Sequence, residues 1–196
     1  MIIRVAREAD APAMGRVMVD THLAAHRDQM PAEAWAKRAQ EWTYEESAQG
    51  WARTLREIAA GAGDCIYLAE DMQGNIVGLV MGGPIGEPAD ADTRPQSGAI
   101  DALYVQASHQ GRGLGRQLLQ AVAIHLAQHG ISALQIGCLA TNAPARRFYE
   151  ALGGQLIDER LFNEEGIMLP EVVYGWANIE QLITQKALGQ KQDIDD

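Results

Sequence analysis

The segment Gln110-Gly111-Arg112-Gly113-Leu114-Gly115 constrains this chain more than any other. It follows an apolar, strand-like run at residues 99–105 and opens a helix-like run at 114–128. Glycines at a strand-to-helix junction let the backbone turn tightly and leave successive N–H groups exposed at the positive end of a helix. Glycines alone would mark no more than a bend. The order strand, Gln-x-x-Gly-x-Gly, helix points further, to an anion site. Two familiar phosphate loops are excluded by spacing. A dinucleotide fingerprint requires a third glycine at the sixth position, which here is Arg116 counted from Gly111 and Leu118 counted from Gly113. The Gly-Lys-Ser/Thr ending of a nucleoside-triphosphate loop occurs nowhere in the chain.

A second cluster follows at residues 142–154, beginning Asn142-Ala143-Pro144-Ala145-Arg146-Arg147-Phe148-Tyr149. On a helix, the spacing puts Asn142, Ala145 and Tyr149 on one face. That face would offer an amide, a small residue that admits close approach, and a phenol one turn further on. Phe148 and Tyr149 also suit a core, and Asn142 suits an N-cap, alone or together with a ligand-binding role.

The two clusters together resemble the GNAT family of N-acetyltransferases. Residues 110–115 are similar to its motif A, Arg/Gln-x-x-Gly-x-Gly/Ala, and residues 142–154 to its motif B, Asn-x-x-Ala-x-x-Phe/Leu-Tyr-x-x-x-Gly-Phe. Gly154 stands where the last Phe of motif B is expected. The resemblance implies an α/β fold of the mixed α+β kind, with a twisted mixed sheet of about seven strands and helices on both faces. It implies one domain over residues 1–188, and the terminal residues 189–196 read by themselves as a disordered acidic tail. In the family, strands matching 99–105 and 133–139 run parallel and splay apart, and acetyl-CoA enters the gap. The expected donor contacts are then Leu103, Tyr104 and Val105 on the strand, through backbone at Leu103 and Val105. Gln110, Gly111, Arg112, Gly113, Leu114, Gly115 and Arg116 are expected at the pyrophosphate, and Asn142 and Ala145 on the second motif. Arg146 or Arg147 either reaches the coenzyme's 3′-phosphate or is a solvated helix position.

Acetyl transfer to an amine needs an acceptor for the amine's proton, a donor for the oxyanion and an acid for the departing thiolate. By resemblance Tyr149 is the acid. Asp101 is the candidate base, placed by strand alternation on the face of Leu103 and Val105; an exposed or ion-paired strand carboxylate is the alternative. His22 and His26 have the i,i+4 spacing of metal ligands, but no third ligand is visible, and no metal is expected. Family resemblance puts the acceptor against residues 20–60, with Trp35, Trp42 and Tyr44, and against a loop at 161–170, with Phe162, Asn163, Glu164 and Glu165. Tryptophans on helices equally suit a core. A small-molecule amine, an antibiotic, a peptide N-terminus and a lysine side chain remain open as acceptors. The alternative to an enzyme is a non-catalytic acyl-CoA-binding sensor on the same fold.

Composition narrows the classes further. A net charge of −10 argues against a nucleic-acid partner, which demands a basic surface. It mildly favours cationic substrates, although the acidic groups at 87–92, 158–165 and 193–196 read first as solvated surface. No apolar run reaches the length of a membrane span, and the N-terminus lacks a secretory pattern. Cys65 and Cys138 sit in strand-like runs and read as free thiols of a cytoplasmic protein. A monomer and a homodimer are both compatible with the sequence.

Expected elements are strands at 2–5, 65–69, 76–81, 99–105, 133–139, 155–162 and 172–176. Helices are expected at 9–20, at 32–60 with a break near Gly50, and at 113–128, 143–152 and 178–188.

Overall fold

The computed structural model describes residues 1–86, 96–164 and 166–184. Its strands are β1 (Ile2–Val5), β2 (Cys65–Glu70), β3 (Ile76–Pro84), β4 (Gln96–Val105), β5 (Ile131–Leu139), β6 (Gln155–Glu164) and β7 (Ile167–Trp176). They form one sheet in the order β1-β2-β3-β4-β5-β7-β6. Every neighbouring pair is antiparallel except β4 and β5. A parallel pair needs a long crossover, and the helix α4 (Leu114–Gln128) provides it. The remaining helices are α1 (Ala11–His26), α2 (Ala32–Glu41), α3 (Tyr44–Ala59), α5 (Ala143–Ala151) and α6 (Glu180–Thr184).

Helix α4 covers one sheet face, as its apolar spacing requires: Leu114, Leu118, Val122 and Leu126 are all buried, in one cluster with Val77, Val80 and Ile136. On the opposite face Met14 and Val17 of α1 and Trp51 and Leu55 of α3 pack over Ile66, Leu68 and Leu79. The mixed sheet with helices on both faces is as expected.

Three elements differ from the sequence reading. Helix α1 runs on to His26, so His22 and His26 ride on it. The break in the next helical stretch lies at Trp42 and Thr43, and Gly50 sits inside α3. The physical reason is a capping box: the Thr43 hydroxyl accepts from the Glu46 N–H (3.1 Å), and the Glu46 carboxylate accepts from the Thr43 N–H (3.2 Å). Finally, residues 161–170 are not a loop. Leu161 to Glu164 pair with Ile167 to Pro170. Pro170 has no N–H to donate, but its carbonyl still takes part in the sheet by accepting from the Ala140 N–H at 2.8 Å. The acidic groups at 87–92 and 193–196, Glu165, the far end of the terminal helix and the tail at 189–196 lie outside the described residues.

Two sheet irregularities create the site. Parallel pairing of β4 with β5 stops at Ile100↔Ile136. Beyond that point β4 stays on β3 and β5 stays on β7, so the two strands part. On the β3 side, Gly82 pairs with Ile100 and Met81 with Ala102, which leaves Asp101 as an extra, bulged residue.

Candidate active site

The parting of β4 and β5 opens a cavity of about 1400 Å³ that reaches from α1 and α2 to the 110–116 loop. At one end, Gly111 (φ 72°) and Gly113 (φ 78°) hold the left-handed conformation that lets the chain enter α4. Gly113 is the residue before the helix, so the first N–H groups of α4 face the loop. The Gln110 side chain donates to the Val105 carbonyl (2.9 Å) and ties the loop to the end of β4. Gly115 serves packing: a Cβ there would stand 3.1 Å from the Phe148 ring of α5.

Helix α5 begins at Asn142, whose Oδ1 accepts from the Ala145 N–H at 3.2 Å, while the residue also lines the cavity. The two readings of Asn142 are therefore compatible. Tyr149 is 5% exposed and borders the cavity with Cys138 and Tyr104. Burial, with the acidic neighbours Cys138 and Tyr104, pushes its phenol above the ordinary range and keeps it protonated. Burial likewise pushes Tyr104 up to about 12 and Cys138 up to about 11, so the Cys138 thiol stays neutral. Behind α5, the Trp176 ring fills the space that a side chain at Gly154 would occupy: a Cβ there would lie 2.8 Å from Cζ2.

Of the fifteen residues expected to bind the acetyl donor or carry the chemistry, thirteen line this cavity: Asp101, Leu103, Tyr104, Val105, Gln110, Gly111, Gly113, Leu114, Gly115, Arg116, Asn142, Ala145 and Tyr149. Arg112 is exposed outside its lining. Arg146 is half-exposed and lies outside the lining. Its Nη1 donates to the Ala140 carbonyl (3.0 Å) and its Nε to the Tyr174 hydroxyl (3.2 Å), which fastens α5 to the end of β5. The bulge changes the placement of Asp101. Leu103 and Val105 pack against the α4 cluster, while the extra residue breaks the alternation that had put Asp101 on their face. Asp101 is among the residues that line the cavity, and partial burial with the nearby Asp64 raises its pKa.

The other end of the cavity holds groups that sequence reasoning undervalued. His22 and His26 project from α1, their rings 4.4 Å apart, and the His22 ring stands 5.0 Å from that of Trp42. Among the described residues no group of three ligating side chains could hold a metal. Glu164 is buried and ion-paired with Arg38, contrary to its reading as solvated surface. The reason is the β6–β7 pairing, which carries Glu164 back over α2. Phe162 and Glu171 complete this wall. Trp35 packs away from it, its Nε1 donating to the Leu23 carbonyl (2.9 Å), and the exposed Tyr44 donates to Asp20 (2.6 Å). The signal for α1 was present in the sequence, where Met18, His22 and His26 recur at helical spacing beyond Asp20.

The model of the Acetyltransferase (GNAT) family matches residues 29–154 of the chain. The chain belongs to that family and is an acetyltransferase by that membership. It is 27% identical over 183 residues to the uncharacterized N-acetyltransferase YuaI of Bacillus subtilis (strain 168), covering 93% of this chain and 96% of that protein. It is 31% identical over 101 residues to the spermine/spermidine N(1)-acetyltransferase of the same strain, covering 51% of this chain and 66% of that protein. Among solved structures, the PaiA N-acetyltransferase of Thermoplasma acidophilum in complex with coenzyme A has the same fold. Its TM-score is 0.65 at 14% identity, with 87% of this chain and 96% of that chain covered. No helix among the described residues is long and apolar enough to cross a membrane.

The residues present fit acetyl-CoA as the acetyl donor. Gly111 is open, and at Gly113 a Cβ would meet only the ends of the Arg116 and Gln117 side chains, at 3.7 and 3.9 Å; Asn142 Nδ2 has no protein partner among the described residues. The parted strands leave backbone of β4 facing the gap.

Proposed function

We propose that this protein is an N-acetyltransferase that carries an acetyl group from acetyl-CoA to a primary amine of a small molecule or peptide, by direct attack with both substrates bound. One observation carries the reading: the gap between β4 and β5 places Asp101 and Tyr149 on the same cavity as the Gly111–Gly113 cradle. The continuous sheet from Ile2 to Trp176 supports treating residues 1–188 as one domain.

Acetyl-CoA supplies the activated thioester. The cradle and the α4 N-terminus hold its pyrophosphate, and the unpaired β4 backbone near Leu103 holds its pantetheine arm. Asp101 takes the proton that the amine loses as its nitrogen bonds to the acetyl carbon. Tyr149 gives its phenolic proton to the sulfur as the carbon–sulfur bond breaks. Burial keeps the phenol protonated at neutral pH, and it yields the proton only as negative charge builds on the adjacent sulfur.

The acceptor wall carries Asp20, Asp101, Glu164 and Glu171. Glu164 is neutralised by Arg38 and Glu171 by Arg160, so Asp20 and Asp101 leave the wall net acidic. That suits an amine that arrives with positive charge elsewhere in the molecule. The similarity to a spermine/spermidine acetyltransferase makes polyamines the first acceptors to try.

The deciding experiment is release of coenzyme A thiol from acetyl-CoA against a panel of polyamines, aminoglycosides, peptide N-termini and lysine peptides. Turnover with one class is expected. Tight coenzyme binding without turnover on any amine would replace this reading with the sensor.

The raised pKa of Asp101 also makes a pH prediction. A base works only when ionised, so kcat/KM should rise with pH through a step above the ordinary carboxylate range. Asp101→Asn should erase that step and lower kcat about tenfold. A pH–rate profile that keeps the step in the variant excludes Asp101 as the base.

A further inference from the structure

His22 is the polar group of the cavity wall that the mechanism above leaves unused. Both of its ring nitrogens are shielded from solvent, and neither meets a hydrogen-bond partner. The hydroxyl of the adjacent Thr21 is in the same state, and both residues line the cavity. Buried polar groups are nearly always paired, so two neighbouring exceptions on one helix turn call for a partner from outside the chain. Packing alone accounts poorly for His22, since Trp42 and Tyr104 surround the ring without bonding to it.

The surroundings also set its charge. Burial, reinforced by His26 and Arg38, holds the imidazole down to about 3, so it is neutral at any working pH. The groups facing it are His26 from its own helix, Arg38 from α2, Tyr104 from β4 and Glu164 from β6. His26 is itself held low by burial and bonded to Gln29 at 3.0 Å. Glu164 is paired with Arg38, which leaves no carboxylate to hold a proton on His22. A neutral imidazole offers one lone pair and one N–H. Its lone pair can accept a hydrogen bond from an amine N–H, while the burial and the neighbouring Arg38 that keep the ring uncharged also disfavour an ammonium ion beside it.

We propose that His22 is the binding residue for the acceptor: turning about its soft Cβ–Cγ bond, the imidazole brings a nitrogen to the cavity and accepts a hydrogen bond from the N–H of an aliphatic primary amine bound in neutral form. This rests on the acetyltransferase reading. His22 orients the amine, whose own lone pair remains directed at the thioester, and Asp101 removes the proton after attack. The labour divides between an imidazole that holds the amine in a buried place and a carboxylate that takes its proton.

The test uses spermidine as the acceptor probe. His22→Phe keeps a flat ring and removes both nitrogens; His22→Gln restores an acceptor on a similar reach. His22→Phe should raise the KM for spermidine about tenfold, with the KM for acetyl-CoA and the melting temperature unchanged, and His22→Gln should recover much of the loss. An unchanged spermidine KM in His22→Phe overturns the proposal. A second readout is independent of turnover. In coenzyme A-saturated protein carrying 15N-histidine, the His22 ring signals, identified by their loss in His22→Gln, should shift saturably with spermidine. Signals that stay in place overturn the proposal even if some amine is acetylated. Shifting signals without thiol release support it, and count against the acetyl-transfer reading alone.

Discussion

Tyr149→Phe is expected to lower kcat about 100-fold while the affinity for coenzyme A stays within about twofold. The asymmetry follows from the position of the hydroxyl. Tyr149 is 5% exposed, and its ring packs against Tyr174 (5.8 Å between centroids) and edge-on against Trp176 (6.4 Å). Phenylalanine reproduces those ring contacts. It also leaves the cradle at Gly111 and Gly113 untouched, since that is made of backbone on another element. What it lacks is the proton for the departing sulfur. Steady-state kinetics with the best amine, beside calorimetric titration of coenzyme A, separate the two effects. A variant that turns over at the wild-type rate removes Tyr149 from the mechanism; one that loses coenzyme affinity and rate together reassigns it to binding.

Trp176→Ala is expected to cost about 4 kcal/mol of folding stability, the range found when a large buried aromatic is truncated. Trp176 is 1% exposed at the end of β7, where it pairs with Leu134 of β5. Its Nε1 donates to the Leu152 carbonyl at 2.8 Å, at the C-terminal end of α5. The truncation would open a cavity beneath Gly154 and leave the Leu152 carbonyl buried without that donor. Urea denaturation measures the loss. Trp176→Phe keeps most of the volume and forfeits the N–H, so it should cost about 1–2 kcal/mol. A Trp176→Ala protein as stable as the wild type would mean that the remaining contacts of α5, among them the Arg146 bonds to Ala140 and Tyr174 and the Tyr174–Glu150 bond, hold the helix without it. Because Trp176 supports α5 from behind, the alanine variant should also lose activity without any change at the cavity surface.

The Trp176 contact accounts for a departure visible in the motif. Where the family pattern ends in Phe, this chain has Gly154, and the aromatic volume comes instead from a residue on a different strand. A linear pattern records the absence of the Phe but has no means of showing its replacement.

Local features of the sequence were legible because their causes are local. Three glycines between an apolar strand and an apolar helix, an Asn with a Pro two residues on, and a period of four in Leu114, Leu118, Val122 and Leu126 each act within a turn or two of chain. They determined the loop, the two helices that flank the cavity and the family, and with them the acetyl donor. The Thr43–Glu46 capping box belongs to the same class and was legible too, but Gly50 was the more conspicuous breaker.

The acceptor side depends on contacts between residues far apart in sequence. Asp101 is the extra residue that interrupts the ladder with β3, and composition does not announce a bulge. Arg146 lies along the end of β5 because the Ala140 carbonyl accepts from it there. Glu164 is buried because β7 pairs with the full length of β6 and returns it to Arg38. His22 becomes a neutral, unpartnered imidazole only when α1, α2 and β4 close around it. The chain thus carries its donor in short-range turn and helix geometry, read directly from neighbouring residues, while its acceptor wall exists only after folding has joined distant segments and removed their side chains from water.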